Sequence, residues 1–74
     1  MAAMLQLEAI GPRGEELALA AGEATDTPVG FDPDLDCATF DSSSFDDEGL
    51  RSAVLEALAG LDPDWPTHLR VIED

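Results

Sequence analysis

Residues 4–21 read MLQLEAIGPRGEELALAA, and the way the second half of this stretch folds decides the architecture. Residues 4–10 alternate, with Leu5, Leu7 and Ala9 on one side and Gln6 and Glu8 on the other, the period of a half-buried strand. Gly11-Pro12-Arg13-Gly14 follows. Proline presets the second position of a turn and glycine tolerates its last, so these four residues read as a hairpin connection. Residues 15–21 alternate again and place Leu17, Leu19 and Ala21 together against Glu16, Ala18 and Ala20. A helix is the rival reading, because EELALAA has high helix propensity, but seven residues between Gly14 and Gly22 are few for one. The alternation therefore predicts a second strand.

Outward from there, residues 22–36 carry Gly, Pro, Thr and Asp at loop density, and Thr27-Pro28 and Asp32-Pro33 forbid a regular helix, so a long exposed acidic loop is expected. Residues 37–40 fit a short third strand with Ala38 and Phe40 facing one way. Ser44 with Asp47 three positions on matches a helix-capping pattern, and Asp46, Asp47 and Glu48 suit the positive end of a helix dipole. Leu50, Val54, Ala57, Leu58 and Leu61 recur at helical spacing, Gly60 reads as the stop and Pro63 confirms it, which predicts a helix over 46–59. Trp65 sits in a turn-rich link over 62–67, and 68–72 closes the chain as a strand with Leu69 and Val71 on one side. The expected fold is α+β, a small antiparallel or mixed sheet of three to four strands with one helix packed on one face, in the order β-β-(β)-α-β. Ile10, His68, Arg70 and Ile72 are then expected on the uncovered face, where a second copy or a partner would sit as in a homodimer.

Seventy-four residues make one domain, and with much of its apolar content in alanine the core is expected to be small. Seventeen Asp and Glu face three Lys and Arg, for a net charge of -14, and all three bases are arginine: Arg13, Arg51 and Arg70. Most carboxylates have no base to pair with. Cys37 is alone, which excludes an intrachain disulfide and suits a reducing compartment. MAAMLQLEAI lacks the basic start of a signal peptide and no apolar run reaches membrane-spanning length, so a cytoplasmic location is expected. Anionic charge makes nucleic acid and anionic membranes poor direct partners and a basic protein surface the favoured one.

The acids gather in residues 31–48, FDPDLDCATFDSSSFDDE, which hold Asp32, Asp34, Asp36, Asp41, Asp46, Asp47 and Glu48 and no base. Asp32-x-Asp34-x-Asp36 begins like a calcium loop, but Cys37 stands where the loop needs glycine and Ser43 where it needs glutamate, so no metal is expected. In an extended chain these carboxylates would stand about 6.6 Å apart, close to the spacing of successive phosphates on a nucleic-acid strand. His68 and Cys37 are each single of their kind, and Ser42, Ser43 and Ser44 lack a nucleophile-elbow context. No catalytic group and no cofactor are expected. Phe31, Leu35 and Trp65 are the candidate apolar anchors around the acids.

Two resemblances bear on function. Asp41-Ser42 before a helix resembles the attachment site of acyl carrier proteins over two residues only, and the prolines and glycines of the first half leave no first helix for the carrier bundle. Small size, one acidic face, no lysine and no catalytic grouping look like the small acidic inhibitors of phages and mobile elements, DNA-mimic anti-CRISPR proteins among them; the resemblance is one of general character. It implies a non-enzymatic inhibitor that blocks a nucleic-acid-binding protein, with Asp32, Asp34, Asp36, Asp41, Asp46, Asp47 and Glu48 as phosphate surrogates and Phe31, Leu35 or Trp65 as anchors. The alternative is an interaction module of another kind, an immunity protein or a small complex subunit, using the uncovered sheet face.

Overall fold

A computed structural model describes residues 3–72. The chain runs β1 (Ala3–Ala9), α1 (Pro12–Ala24), β2 (Val29–Asp32), β3 (Cys37–Ser42), α2 (Asp47–Leu61), a single 3-10 turn (Trp65–Thr67) and β4 (Leu69–Val71). The four strands form one antiparallel sheet in the order β2-β3-β1-β4. Both helices pack on one face of it, so the fold is α+β, with two covering helices where the sequence predicts one.

The registers explain which face is covered. Leu5 pairs with Phe40, Leu7 with both Ala38 and Val71, and Ala9 with Leu69, so the alternation of every strand turns its apolar set the same way. Those side chains meet Leu17, Ala18 and Ala21 of α1 and Leu50, Val54 and Leu58 of α2 in a single core. Phe40, Leu7, Leu50, Leu58 and Leu69 are its largest buried members.

Residues 15–21 are not a strand. They form the middle of α1, which begins at Pro12 with Gly11 extended at the N-cap, the position where a missing N–H costs nothing. The supposed hairpin turn is thus a helix start. Leu19, expected beside Leu17, is 45% exposed, and the buried stripe is instead Gly14, Leu17, Ala18, Ala21 and Gly22. A Cβ at Gly14 would come within 2.7 Å of Ala9 Cβ and of the His68 carbonyl oxygen, and one at Gly22 within 2.2 Å of Val29 Cγ2. Glycine here permits backbone contact between helix and sheet. The helix ends in a Schellman arrangement, Thr27 N–H to Gly22 O at 2.8 Å and Asp26 N–H to Glu23 O at 3.2 Å, with Asp26 at φ 53° in the left-handed place that glycine usually takes.

The expected loop over 22–36 also contains structure. Val29–Asp32 is an edge strand, and only four residues turn it into β3, which runs on to Ser42 rather than ending at Phe40. In α2 the N-cap is Asp46, whose Oδ1 accepts the Gly49 N–H at 2.7 Å; Ser44 instead donates its N–H to Ser42 Oγ at 3.1 Å. The helix passes through Gly60 and stops at Leu61, where Asp62 takes the C-cap. Arg13 on α1 reaches that Asp62 at 3.2 Å and ties the two helices together.

Candidate protein-binding surface

Placed on this fold, the acidic segment 31–48 is not one surface. β3 separates it into a hairpin tip with Asp32, Asp34 and Asp36 and a helix start with Asp46, Asp47 and Glu48. Six residues of strand at about 3.3 Å each put the two groups roughly 20 Å apart. The Debye length near physiological salt is about 8 Å, so each group acts on a partner as a separate patch.

The tip is a tight turn and not an extended ladder. Asp32 Oδ1 accepts the Asp34 N–H at 2.9 Å, an Asx-type turn that Pro33 presets, and Asp36 adopts φ 50°. The Asp36 carbonyl then accepts the Ala9 N–H at 2.6 Å and anchors the tip to β1. The even phosphate-like spacing of Asp32, Asp34 and Asp36 expected for an extended chain is therefore not formed. What the tip offers is a compact cluster of exposed carboxylates with Leu35, 69% exposed, at its centre.

At the other end the acids have structural work. Asp46 caps α2, Asp47 and Glu48 lie in its first turn, and Asp47 Oδ1 accepts the Met4 N–H at 3.4 Å. Asp41 is exposed on the helix-free face of β3, opposite Met4. Phe31 and Trp65, named as anchors, are partly buried and pack against the core; of the three apolar candidates Leu35 alone stands out in solvent. Ser42 is buried at 8% exposure on the helix-covered side, and a sheet with two helices is not a carrier bundle.

The cations are distributed unevenly. Arg13 pairs with Asp62, and Arg70 pairs with Glu8 at 2.7 Å across β4 and β1. Residues 14–50 contain no base, and this span builds nearly all of α1, the β2–β3 hairpin and the start of α2. Gly22 packs the end of α1 directly onto Val29 of β2, which brings Glu23 and Asp26, both exposed, to the same sheet edge as the hairpin, whereas Glu15 and Glu16 follow Gly14 beside Ala9 and the His68 carbonyl, toward β1 and β4. Glu23 and Asp26 join the candidate surface although they lie outside the acidic segment. High helix propensity in EELALAA was the signal for them, since only a helix over these residues carries its end to β2.

Among the described residues no group of three or more His, Cys, Asp or Glu is arranged to hold a metal, and no helix is long and apolar enough to cross a membrane. Three hollows among the described residues are shallow: one between Phe45, Ala53 and Ala57 of the α2 side and Ala24 and Thr25 of α1, one along Asp47, Arg51 and Leu55, and one under Thr27 and Pro28. Compared with known proteins, the chain matches no family model, and no curated protein or solved structure matches it.

Proposed function

We propose that the chain is a small acidic inhibitor that occupies a basic surface of a nucleic-acid-binding protein, such as the DNA-recognition groove of a CRISPR effector complex, and so denies that surface to DNA or RNA. The observation that carries the reading is the uneven distribution of charge: Asp32, Asp34 and Asp36 are exposed together at the hairpin tip and Glu23 and Asp26 are exposed at the same sheet edge, on a span, residues 14–50, that contains no base. A groove lined with Lys and Arg recovers, on binding such a surface, part of the electrostatic free energy it gains from phosphates, and the field accelerates encounter. The hairpin tip, with Asp32, Asp34, Asp36 and Leu35, is the projecting feature suited to enter a groove; Glu23 and Asp26 extend the contact along the β2 edge. The carboxylates act as a compact cluster of charge rather than as a copy of a phosphate ladder.

The test is capture of a partner on the immobilised chain, followed by competition. The expected partner is a nucleic-acid-binding protein that is displaced by its own duplex and loses at least about tenfold in affinity between low and moderate NaCl, as charge-dominated contacts do. Asn at Asp32, Asp34 and Asp36 together should weaken the complex and leave the melting temperature unchanged or raised. A partner held equally in high salt, and not displaced by nucleic acid, would overturn the reading and move the contact to the helix-free sheet face.

A further inference from the structure

The helix-free face of the sheet presents two cross-strand rows running from one edge to the other. One is Asp32, Cys37, Glu8 and Arg70; the next is Gly30, Thr39, Gln6 and Ile72. The first row begins with a carboxylate on β2 and ends with a guanidinium on β4. Arg70 leans on Glu8, yet its side chain is still 66% exposed. Met4 and Ile10 are each 57% exposed on the same face, a large uncovered share for a chain with so few big apolar residues.

We propose that this face is the contact surface of a symmetric dimer, two copies packed sheet to sheet about a two-fold axis that runs parallel to the strands between β1 and β3. Such an axis lays β2 of each copy over β4 of the other. Asp32 then meets Arg70, Thr39 meets Gln6, and Ile72 meets Gly30, whose Cβ position has nothing within 4 Å; each pairing occurs twice. Charge and bulk match at Asp32–Arg70 and Ile72–Gly30, while the same axis sets Glu8 over Cys37 and Met4 over Asp41; neither rival arrangement brings Asp32 to Arg70. A two-fold axis across the strands sets β2 over β2 and β4 over β4, which keeps Asp32 and Arg70 on opposite sides of the contact. Pairing of two β4 edges centred on that strand brings Arg70 against Arg70.

The available area sets the strength. Four strands about 4.8 Å apart, with central strands roughly 20 Å long, offer a footprint of about 400 Å² per copy. The pair therefore covers roughly 800 Å², below the ~1,200 Å² of a stable specific interface. The dimer is accordingly weak and reversible, and because each copy carries -14, added salt strengthens it by screening the overall repulsion. That dependence is opposite in sign to the one expected for a basic partner, and because Asp32 belongs to both contacts, the dimer and such a partner compete for it.

Sedimentation of the full chain at concentrations rising into the millimolar range, at low and moderate NaCl, reads the association directly. Cross-linking then reads the axis. In a Cys37→Ser background, a short bismaleimide should join the Asp32→Cys chain to the Arg70→Cys chain when the two are mixed, and should join neither chain to itself. Arg70→Asp should weaken association, and the charge-conserving pair Asp32→Arg with Arg70→Asp should restore it. A chain that stays monomeric at millimolar concentration in both salts, or efficient self-cross-linking of either single-cysteine chain, would overturn the proposal.

Discussion

α2 rests on the sheet through Leu50, Val54 and Leu58, whereas α1 rests on it through Gly14, Leu17, Ala18, Ala21 and Gly22. α2 stands off from the strands and fills the gap with branched side chains; α1 comes down until its backbone meets Ala9, His68 and Val29. Hydrophobic burial by large side chains dominates at the first contact and close backbone approach at the second. The same kind of substitution must therefore act differently at the two. Removing methyl groups should harm α2, and adding one should harm α1.

The largest effect is expected at Leu58, which is fully buried. Leu58→Ala removes transfer energy and leaves a cavity, a loss of about 2–5 kcal/mol. In a domain of this size each kcal/mol shifts the melting temperature by roughly 4–8 °C, so thermal denaturation should show a drop of about 10 °C or more. A shift near zero would mean that α2 does not hold the sheet as described.

Gly14→Ala is the counterpart on α1. Alanine raises helix propensity by about 1 kcal/mol over glycine, but its methyl would meet Ala9 Cβ and the His68 carbonyl at 2.7 Å. Neither of these is the movable end of a long side chain. Overpacking of this kind costs roughly 1–3 kcal/mol, so a net loss of about 1 kcal/mol is expected in a denaturant melt. A net gain would show that α1 has room to lift, and would erase the contrast between the helices.

This contrast also explains what could be read before the fold was known. α2 announced itself because large apolar residues at 50, 54 and 58 mark a helical period and acidic residues mark its start. α1 hid because alanine and glycine give almost no apolar period, so that Leu17 and Leu19 alone suggested alternation, and because Gly14 and Gly22 resemble terminators when their real role is contact with another element. β2 was obscured by Pro28, Gly30 and Pro33, residues that weaken a strand signal but are tolerated at a sheet edge. For the candidate surface, the identity of the acids was plain and their arrangement was not. Whether Asp34 and Asp36 extend or turn is settled by the bond from Ala9 N–H to Asp36 O, a contact between segments far apart in the chain. Glu23 and Asp26 could join that surface only once α1 was known to be a helix that ends on β2.

The ends of the helices differ as well. Asp46 caps α2 through a side-chain bond of 2.7 Å to the Gly49 N–H, while α1 begins without a side-chain cap and relies on Pro12. Asp46→Ala should cost about 1 kcal/mol, with Asp46→Asn close to neutral because an amide oxygen can accept the same bond. If both variants are equally destabilised, charge at the helix start, and not the cap, is what Asp46 supplies. If neither is, the acids at this end are free of structural duty and regain standing as contact residues beside the hairpin tip.

The smallest effect is expected at Gly60, and its sign is what matters. This residue lies in the last turn of α2, is exposed, and has nothing within 4 Å of where a methyl would stand; no glycine among the described residues has positive φ. Alanine can adopt the native conformation there without strain, and it restricts the unfolded chain, so Gly60→Ala should stabilise by about 0.5 kcal/mol. Gly14→Ala and Gly60→Ala make the same chemical change in two helices, and the intrinsic propensity gain is of similar origin in both. The difference between their measured stabilities therefore isolates the cost of pushing α1 off the sheet. A gain at Gly60 with a loss at Gly14 assigns that loss to contact with Ala9 and His68. Equal losses would assign it to the helices themselves, and the glycines of α1 would no longer be explained by close approach.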